Sequence, residues 1–250
     1  MTDYGADTYG EHWAEVYDDW VARYGGQPDP EMVADVLAEL AGEGPALELA
    51  IGTGRIALPL SRRGVQVHGI DASDHMVSKL RSKSDGDRIP VTMGNFADVP
   101  EDGRFRLIYV VFNTFFALLS QDDQVRCFQN VEQHLTPDGV FVIEAFVPDV
   151  SRYQRGQYLE ATAVEAEDVL ITAARYDPVG QSVRAAQLFV RNGRVDMRPV
   201  HLRFAYPAEL DLMARLAGLR LRERWGGWEG EPFTAASGSH VSIYEPDRGA

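Results

Sequence analysis

The sequence predicts an α/β fold: a doubly wound, mostly parallel seven-stranded sheet carrying an antiparallel β-meander as an insertion. Three observations lead there. Apolar strand-like runs alternate with helical patterns from Ala46 to Phe146, the mark of a parallel sheet covered by helices. A glycine turn, Gly52-Thr53-Gly54, joins the first of these runs to the helix after it. Beyond Ala161 the period switches from helical to alternating, and Asn192-Gly193 separates two alternating stretches. That dipeptide accepts the positive φ angles of a two-residue hairpin turn.

The elements follow in order. Trp13, Tyr17 and Trp20 stand at spacings that put them on one helical face. Pro30 to Leu40 is a helix with Asp29 as its N-cap and proline at the first position. Ala46 to Ala50 is a buried strand. The helix containing Ile56, Ala57, Leu58 and Leu60 also contains Pro59, which it tolerates only if it starts late. Val65 to Ile70, Pro90 to Met93, Phe105 to Phe112 and Val140 to Phe146 are further strands. Between them Ser73 caps a helix through Met76, Val77 and Leu80, and Asp122 to Leu135 forms another, stopped by Thr136-Pro137-Asp138-Gly139. The meander comprises Val169 to Tyr176, Ser182 to Arg191 and Arg194 to Phe204. Pro207 to Ala217 returns to helix, and Leu219 to Trp225 with Ser239 to Tyr244 close the sheet. The division expected is a main domain of residues 1–160 and 205–250 and an inserted β subdomain of 161–204.

The chain has 250 residues, 38 acidic and 24 basic, for a formal net charge of −14. Clustered Lys and Arg are what phosphate binding requires, so this balance argues against nucleic acid and against anionic lipid. It suits a neutral or cationic small molecule, and it also keeps a protein soluble. Cys127 is the single cysteine, which excludes an internal disulfide and a cysteine-built zinc site; no metal is expected. The acidic start, MTDYGADTYGEHW, lacks the apolar core of a secretion signal, and no apolar run is long enough to span a bilayer. The expected compartment is the cytoplasm.

The glycine turn carries the chemistry. Glycines let a ligand approach the backbone, and the helix start offers unpaired amides. Asp71, at the end of the second strand, can accept the hydroxyl protons of an adenosine ribose. Glu48, four residues before Gly52, separates the candidate cofactors. A carboxylate there repels a pyrophosphate but suits a sulfonium with an α-ammonium group.

On these residues, 46–146 resemble the class I S-adenosylmethionine-dependent methyltransferases, a Rossmann-like family whose first motif is an acidic residue, a strand end and a Gly-x-Gly turn. Asp71 matches the family's ribose-binding acid, and Met76 a residue often packed near the adenine. Gly94-Asn95-Phe96-Ala97-Asp98 resembles the segment that contacts the adenine ring, although Asp more often stands where Asn95 does. The resemblance implies S-adenosylmethionine as cofactor, with Tyr17, Glu48, Ala50, Gly52, Gly54, Asp71, Ala72, Met76, Asn95, Phe96 and Phe112 around it. Within the family the chain is similar to small-molecule enzymes, including the sugar N,N-dimethyltransferases of antibiotic pathways.

The expected reaction is in-line transfer of a methyl group to N or O of a small-molecule metabolite. Alignment in a dry site can supply most of the catalysis, and only an acceptor that must lose a proton needs a base. Candidate bases are His12, Glu144 and His240. Candidate pocket residues are Trp13, Asn113, Phe116 and Trp228. Thr114 and Phe115 stand where methyltransferases acting on nucleobase amines or glutamine amides carry two prolines, which argues against that class. Two other readings compete: an NAD(P)-dependent oxidoreductase, which would share the glycine turn, and a non-catalytic S-adenosylmethionine-binding protein. The meander is expected to cap the substrate site or to form a homodimer surface.

Overall fold

The computed structural model describes residues 8–24, 26, 28–99, 102–165 and 168–249. The expectation about a secretion signal falls partly on residues 1–7, outside the described residues. Two short helices, α1 (Thr8–Trp13) and α2 (Tyr17–Tyr24), precede α3 (Pro30–Ala41). The core then alternates β1 (Ala46–Leu49), α4 (Ala57–Arg62), β2 (Val67–Asp71), α5 (Asp74–Arg81), β3 (Val91–Met93), β4 (Phe105–Val110), α6 (Gln121–His134) and β5 (Leu135–Phe146). Strands β6 (Gln157–Val164), β7 (Asp168–Asp177), β8 (Ser182–Arg191) and β9 (Arg194–Arg203) follow, and α7 (Pro207–Leu216), β10 (Leu219–Trp225) and β11 (Ser239–Pro246) complete the chain.

The main sheet has seven strands in the order β10-β11-β5-β4-β1-β2-β3, with β11 antiparallel to both β10 and β5. Every residue of β1 is buried, as a central strand covered on both faces requires. One apolar layer holds Phe115, Phe128, Phe141 and Met213, and the other holds Leu37, Ile56, Tyr109 and Trp228. The order reverses beside β1, since β2 lies on one side of it and β4 on the other. Such a reversal opens a crevice at the carboxyl ends of the strands.

Local rules hold at the helix starts. Asp29 accepts a hydrogen bond from the Glu31 amide at 3.0 Å, and the Ser73 and Ser120 hydroxyls accept from Met76 and Asp123. Because α4 begins at Ala57, Pro59 falls in the first turn, where its missing N–H deprives no carbonyl of a partner.

β5 starts at Leu135 and takes in the expected turn Thr136-Pro137-Asp138-Gly139, and three further differences bear on the site and the small sheet. β4 ends at Val110, because Phe112 and Asn113 take φ values of 60° and 62°, a left-handed conformation that breaks a strand. The aromatic face of Trp13, Tyr17 and Trp20 spans two helices, not one. The smaller sheet has four antiparallel strands in the order β6-β7-β8-β9 and starts at Gln157, before the expected 161. β6 is exposed along nearly its whole length, so no buried face imposes alternation on its sequence.

The small sheet turns one face inward, burying Leu170, Ala174 and Val183. Its edge strand β9 meets α1, where the Trp13 indole donates to the Pro199 carbonyl at 3.3 Å. Its end is fixed by buried Arg203, which donates to Gln124 of α6 and pairs with Glu209 of α7 at 2.8 Å.

Candidate active site

The site is built at the reversal of strand order, on the turn from β1 to α4. Ala50, Gly52 and Gly54 have φ values of 57°, 58° and 77°. A Cβ on Gly54 would lie 2.4 Å from Leu80 Cδ1, so α5 packs directly against the turn there. At Gly52 a Cβ would meet only the Ala50 carbonyl at 3.9 Å, which leaves the front of the turn open. Asp71 braces this geometry: its Oδ2 accepts from the Gly52 amide at 2.7 Å and its Oδ1 from the Ser73 amide at 2.8 Å. The turn is thus open in front and flanked by two buried carboxyl groups, Asp71 and Glu48.

Glu48 is 4% exposed and accepts from the Tyr109 hydroxyl at 3.0 Å. Burial pushes its pKa up to about 8, against the Tyr109 hydrogen bond, the nearby Arg55 charge and the Ala57 amide. Arg55 lies 5.4 Å from the Phe112 ring centroid, and its charge also acts on Tyr17 and Glu144. Burial holds the Tyr17 phenol protonated, well above the usual range. Sequence reasoning missed Arg55. The available signal was a cationic side chain directly after Gly54, at the mouth of a helix.

A second missed group ties α2 to the turn. Asp18 accepts from the Thr53 hydroxyl at 2.6 Å and pairs with Lys83 at 2.6 Å, while Lys83 also donates to the Thr53 carbonyl. The three side chains are far apart in sequence, and only the fold assembles them. This latch brings Tyr17 and Trp20 against Phe112, at ring-centroid distances of 6.1 and 5.8 Å. Met76 packs with Trp13 and Ala14 beneath the same helices.

Phe112 owes its place to Glu144. The Phe112 amide donates to Glu144 Oε2 at 2.7 Å, the Asn113 amide to the Glu144 carbonyl at 3.2 Å, and the Phe146 amide to Asn113 Oδ1 at 2.6 Å. These bonds sustain two consecutive left-handed residues, strain of the kind found at functional sites. Burial raises the Glu144 pKa, countered first by the Phe112 amide.

Of the remaining candidates, the two histidines stand apart from this cluster. His12 lines an open hollow on the small sheet. His240 is fully buried, its Nδ1 2.8 Å from the Ser242 hydroxyl, and burial pushes its pKa down to about 4. Neither histidine is joined to the Phe112 cluster. Phe116 is a core residue with no exposed surface, packed edge-on to Phe115 and Phe146. Trp13 is also fully buried, between Tyr9, Trp20 and Phe189. Trp228 is 3% exposed in the core layer against which Phe112 packs, and its side chain favours the ionised form of Glu144. Asn95 accepts from the Ala97 amide at 2.9 Å, Phe96 is buried beside it, and Ala72 follows Asp71 half-buried. A cavity of about 750 Å3 lies between α2 and the inward face of the small sheet, lined by Trp20, Tyr24, Leu170, Phe189 and Arg198.

Residues 46–139 match the model of a methyltransferase domain. The cypemycin N-terminal methyltransferase of a Streptomyces species is 28% identical over 202 residues, 80% of this chain and 82% of that protein. The CcbJ methyltransferase of Streptomyces caelestis superposes with a TM-score of 0.91 at 38% identity, covering 97% of this chain and 99% of that one. The fold is also that of CalS10, a Micromonospora echinaspora amino pentose methyltransferase solved with S-adenosylmethionine bound (TM-score 0.70, 19% identity, 91% and 96% coverage). No helix among the described residues is long and apolar enough to cross a membrane. The glycine turn, the acid at the end of β2 and a likeness that spans nearly the whole chain identify this protein as a member of the class I S-adenosylmethionine-dependent methyltransferases, an enzyme that uses that cofactor to methylate a small molecule.

Proposed function

We propose that the acceptor is an amine nitrogen and that transfer takes place at the Phe112, Tyr17 and Trp20 faces. The observation that carries this reading is the pairing of aromatic faces with buried carboxylates, Glu48 and Glu144, and no histidine among them. Aromatic faces attract sulfonium and alkylammonium groups. An amine needs only a free lone pair, whereas a hydroxyl also needs a base. The relatives' names, an N-terminal methyltransferase and an amino pentose methyltransferase, support the same choice.

When bound, the cofactor supplies a methyl group on a sulfonium, which departs as a neutral thioether. The residues do the rest. Asp71 holds the ribose hydroxyls. Gly52, with Ala50, leaves room for the chain between ribose and sulfur, and Gly54 lets α5 pack against the turn. Glu48 faces the α-ammonium and Arg55 the α-carboxylate. Ala72, Met76, Asn95 and Phe96 surround the adenine. Tyr17 and Phe112 exclude water from the methyl group, and Glu144 fixes Phe112 through its amide. The acceptor occupies the cavity under the small sheet, so that 161–204 act as a cap on a main domain of 1–160 and 205–250. The acidic balance supports a partner that is not nucleic acid. A lone, buried Cys127 supports a reducing compartment, the cytoplasm.

Two measurements test this. In calorimetry with S-adenosylhomocysteine, Asp71→Ala should bind at least about tenfold more weakly, a loss of about 1.4 kcal/mol; unchanged affinity overturns the ribose assignment. Across a panel of aminosugars, amino acids and matched alcohols, product mass spectrometry should find methyl on nitrogen. Methylation confined to the alcohols overturns the amine assignment.

A further inference from the structure

One polar row crosses the inward face of the small sheet between two largely apolar ones. Side chains alternate between the faces of a strand, so cross-strand partners define the rows. Leu170 and Phe189 stand on one side, Ala174, Ala185 and Val200 on the other, and Thr172, Gln187 and Arg198 between them. The flanks are packed: Ala174 and Ala185 join the layer of Phe115 and Phe141, and Phe189 meets Trp13 edge-on. The row between is short of partners. Gln187 Oε1 and Arg198 Nε are shielded from water, with no hydrogen-bond partner among the described residues. The same is true of Trp20 Nε1, on the α2 side of the cavity of about 750 Å3 that Trp20, Phe189 and Arg198 line. Three of the six such atoms among the described residues thus gather around one cavity. Buried polar groups are nearly always paired, and an unpaired one costs free energy that a ligand recovers by pairing with it.

The surroundings say what kind of ligand fits. Arg198 Nη1 donates to the His12 carbonyl at 2.7 Å, and Nη2 pairs with Asp196. Its guanidinium lies 5.2 Å from the Phe189 ring centroid and 5.7 Å from that of Trp13. These contacts fix the group and leave Nε–H free. Besides its ion-paired residues, the cavity wall carries Arg23 and Arg194 against Asp19, a cationic excess in a chain of net charge −14. Two free N–H donors in cationic surroundings call for an oxygen acceptor. The Gln187 amide adapts to either kind of partner, since one end donates and the other accepts.

We propose that Trp20, Gln187 and Arg198 anchor the methyl acceptor by an acyl oxygen, a carboxylate or an amide carbonyl, remote from its amine. The inference rests on the placement of the acceptor in this cavity. Trp20 joins the two ends of the site. Its ring lies 5.8 Å from Phe112, where transfer takes place, and 4.9 Å from Trp13, which borders Arg198. The cavity has the volume of pockets for drug-sized ligands, enough for an amine and an acyl group several bonds apart. Each anchoring residue is only half-buried, so a small side-chain rotation turns its polar atom into the cavity. A molecule without the acyl oxygen leaves these groups unpaired and is discriminated against.

Calorimetry on the S-adenosylhomocysteine-loaded protein tests this with ω-amino acids of four to ten carbons, their primary amides and the alkylamines of matched length. At one or more lengths the acid or the amide should bind at least about tenfold more tightly than the alkylamine. No such preference at any length, an absence of binding included, overturns the anchor. A tighter acid identifies a carboxylate, and a tighter amide a neutral carbonyl. Gln187→Met removes the amide at similar length, and Arg198→Lys keeps a charge beside Asp196 but lacks Nε–H. Each should narrow the preference to within about threefold. Thermal stability should not fall in Gln187→Met, because its Oε1 bonds to nothing in the free protein. A preference that survives both variants, at retained S-adenosylhomocysteine affinity, overturns the assignment to these residues. Mass spectrometry of the same probes with S-adenosylmethionine separates this inference from the amine reading. Preferential binding of acyl probes without methyl on nitrogen supports the anchor and overturns the amine. Equally efficient N-methylation of acyl probes and alkylamines keeps the amine and overturns the anchor.

Discussion

Glu48 shows how one residue couples cofactor, fold and pH. Its carboxyl is buried, and its pKa of about 8 lies above that of an unfolded glutamate. A raised folded value means that the protonated form stabilises the fold. That contribution is complete below the unfolded pKa, near 4.3, and is lost as pH rises toward 8. Glu48→Gln should therefore leave cofactor-free stability near pH 4 unchanged and raise it at pH 8, as urea melts will read. A cationic ligand beside Glu48 favours the ionised form. Cofactor binding near pH 7 should release a proton, visible as a dependence of calorimetric enthalpy on the ionisation enthalpy of the buffer. The amide of the Glu48→Gln variant has no proton to release, so the dependence should vanish there.

At the scale of elements, the end of β4 is set by its neighbour β5. Phe112 and Asn113 lie in a conformation that costs of order 1–3 kcal/mol per residue, and Glu144 and Asn113 offset that cost through amide hydrogen bonds. If Glu144 holds this loop and takes no proton, Glu144→Gln, which keeps an acceptor, should retain kcat within about threefold. Glu144→Ala should lose about 1–3 kcal/mol of stability, because the Phe112 amide is left without a partner. A loss of 100-fold or more in kcat for the glutamine variant, at unchanged stability, would make Glu144 a general base instead. The same comparison explains the misplaced strand end. An unbroken apolar run from Phe105 to Phe112 reads as one strand, and the acid that turns its last residue comes from another strand.

For the whole molecule, the decisive joint is between the small sheet and the helices beneath it. Arg203 is 6% exposed and pairs with Glu209 at 2.8 Å, while Gln124 and Gln181 complete its hydrogen bonds. Burial pushes the Glu209 pKa up, but Arg203, Gln181 and Gln121 outweigh it and leave the carboxyl below its ordinary range. The pairing thus stabilises above the unfolded carboxylate pKa and is lost as pH falls through the depressed one. Arg203→Met should cost about 1–3 kcal/mol at neutral pH, since it removes charged hydrogen bonds to a carboxylate that is only partly buried and keeps those from Gln121 and Gln181. Its penalty should shrink in acid, where Glu209 is protonated, and thermal melts across pH will measure both.

The sequence by itself determined the alternating α/β order, the glycine turn, Asp71 and Glu48, because these depend on period, punctuation and charge within short stretches of chain. It also marked the meander through Asn192-Gly193 and its alternating runs. It left β6 unread, since a strand exposed on both faces carries no pattern, and it assigned Phe116 and Trp13 to a pocket although both are core. Only the tertiary structure placed Arg55 over Phe112, latched Asp18 to Thr53 and Lys83, removed His12 and His240 from the Phe112 cluster, and lined up Thr172, Gln187 and Arg198 on one face. Each of these is a contact between distant segments, set by sheet order and register, and no local propensity encodes it.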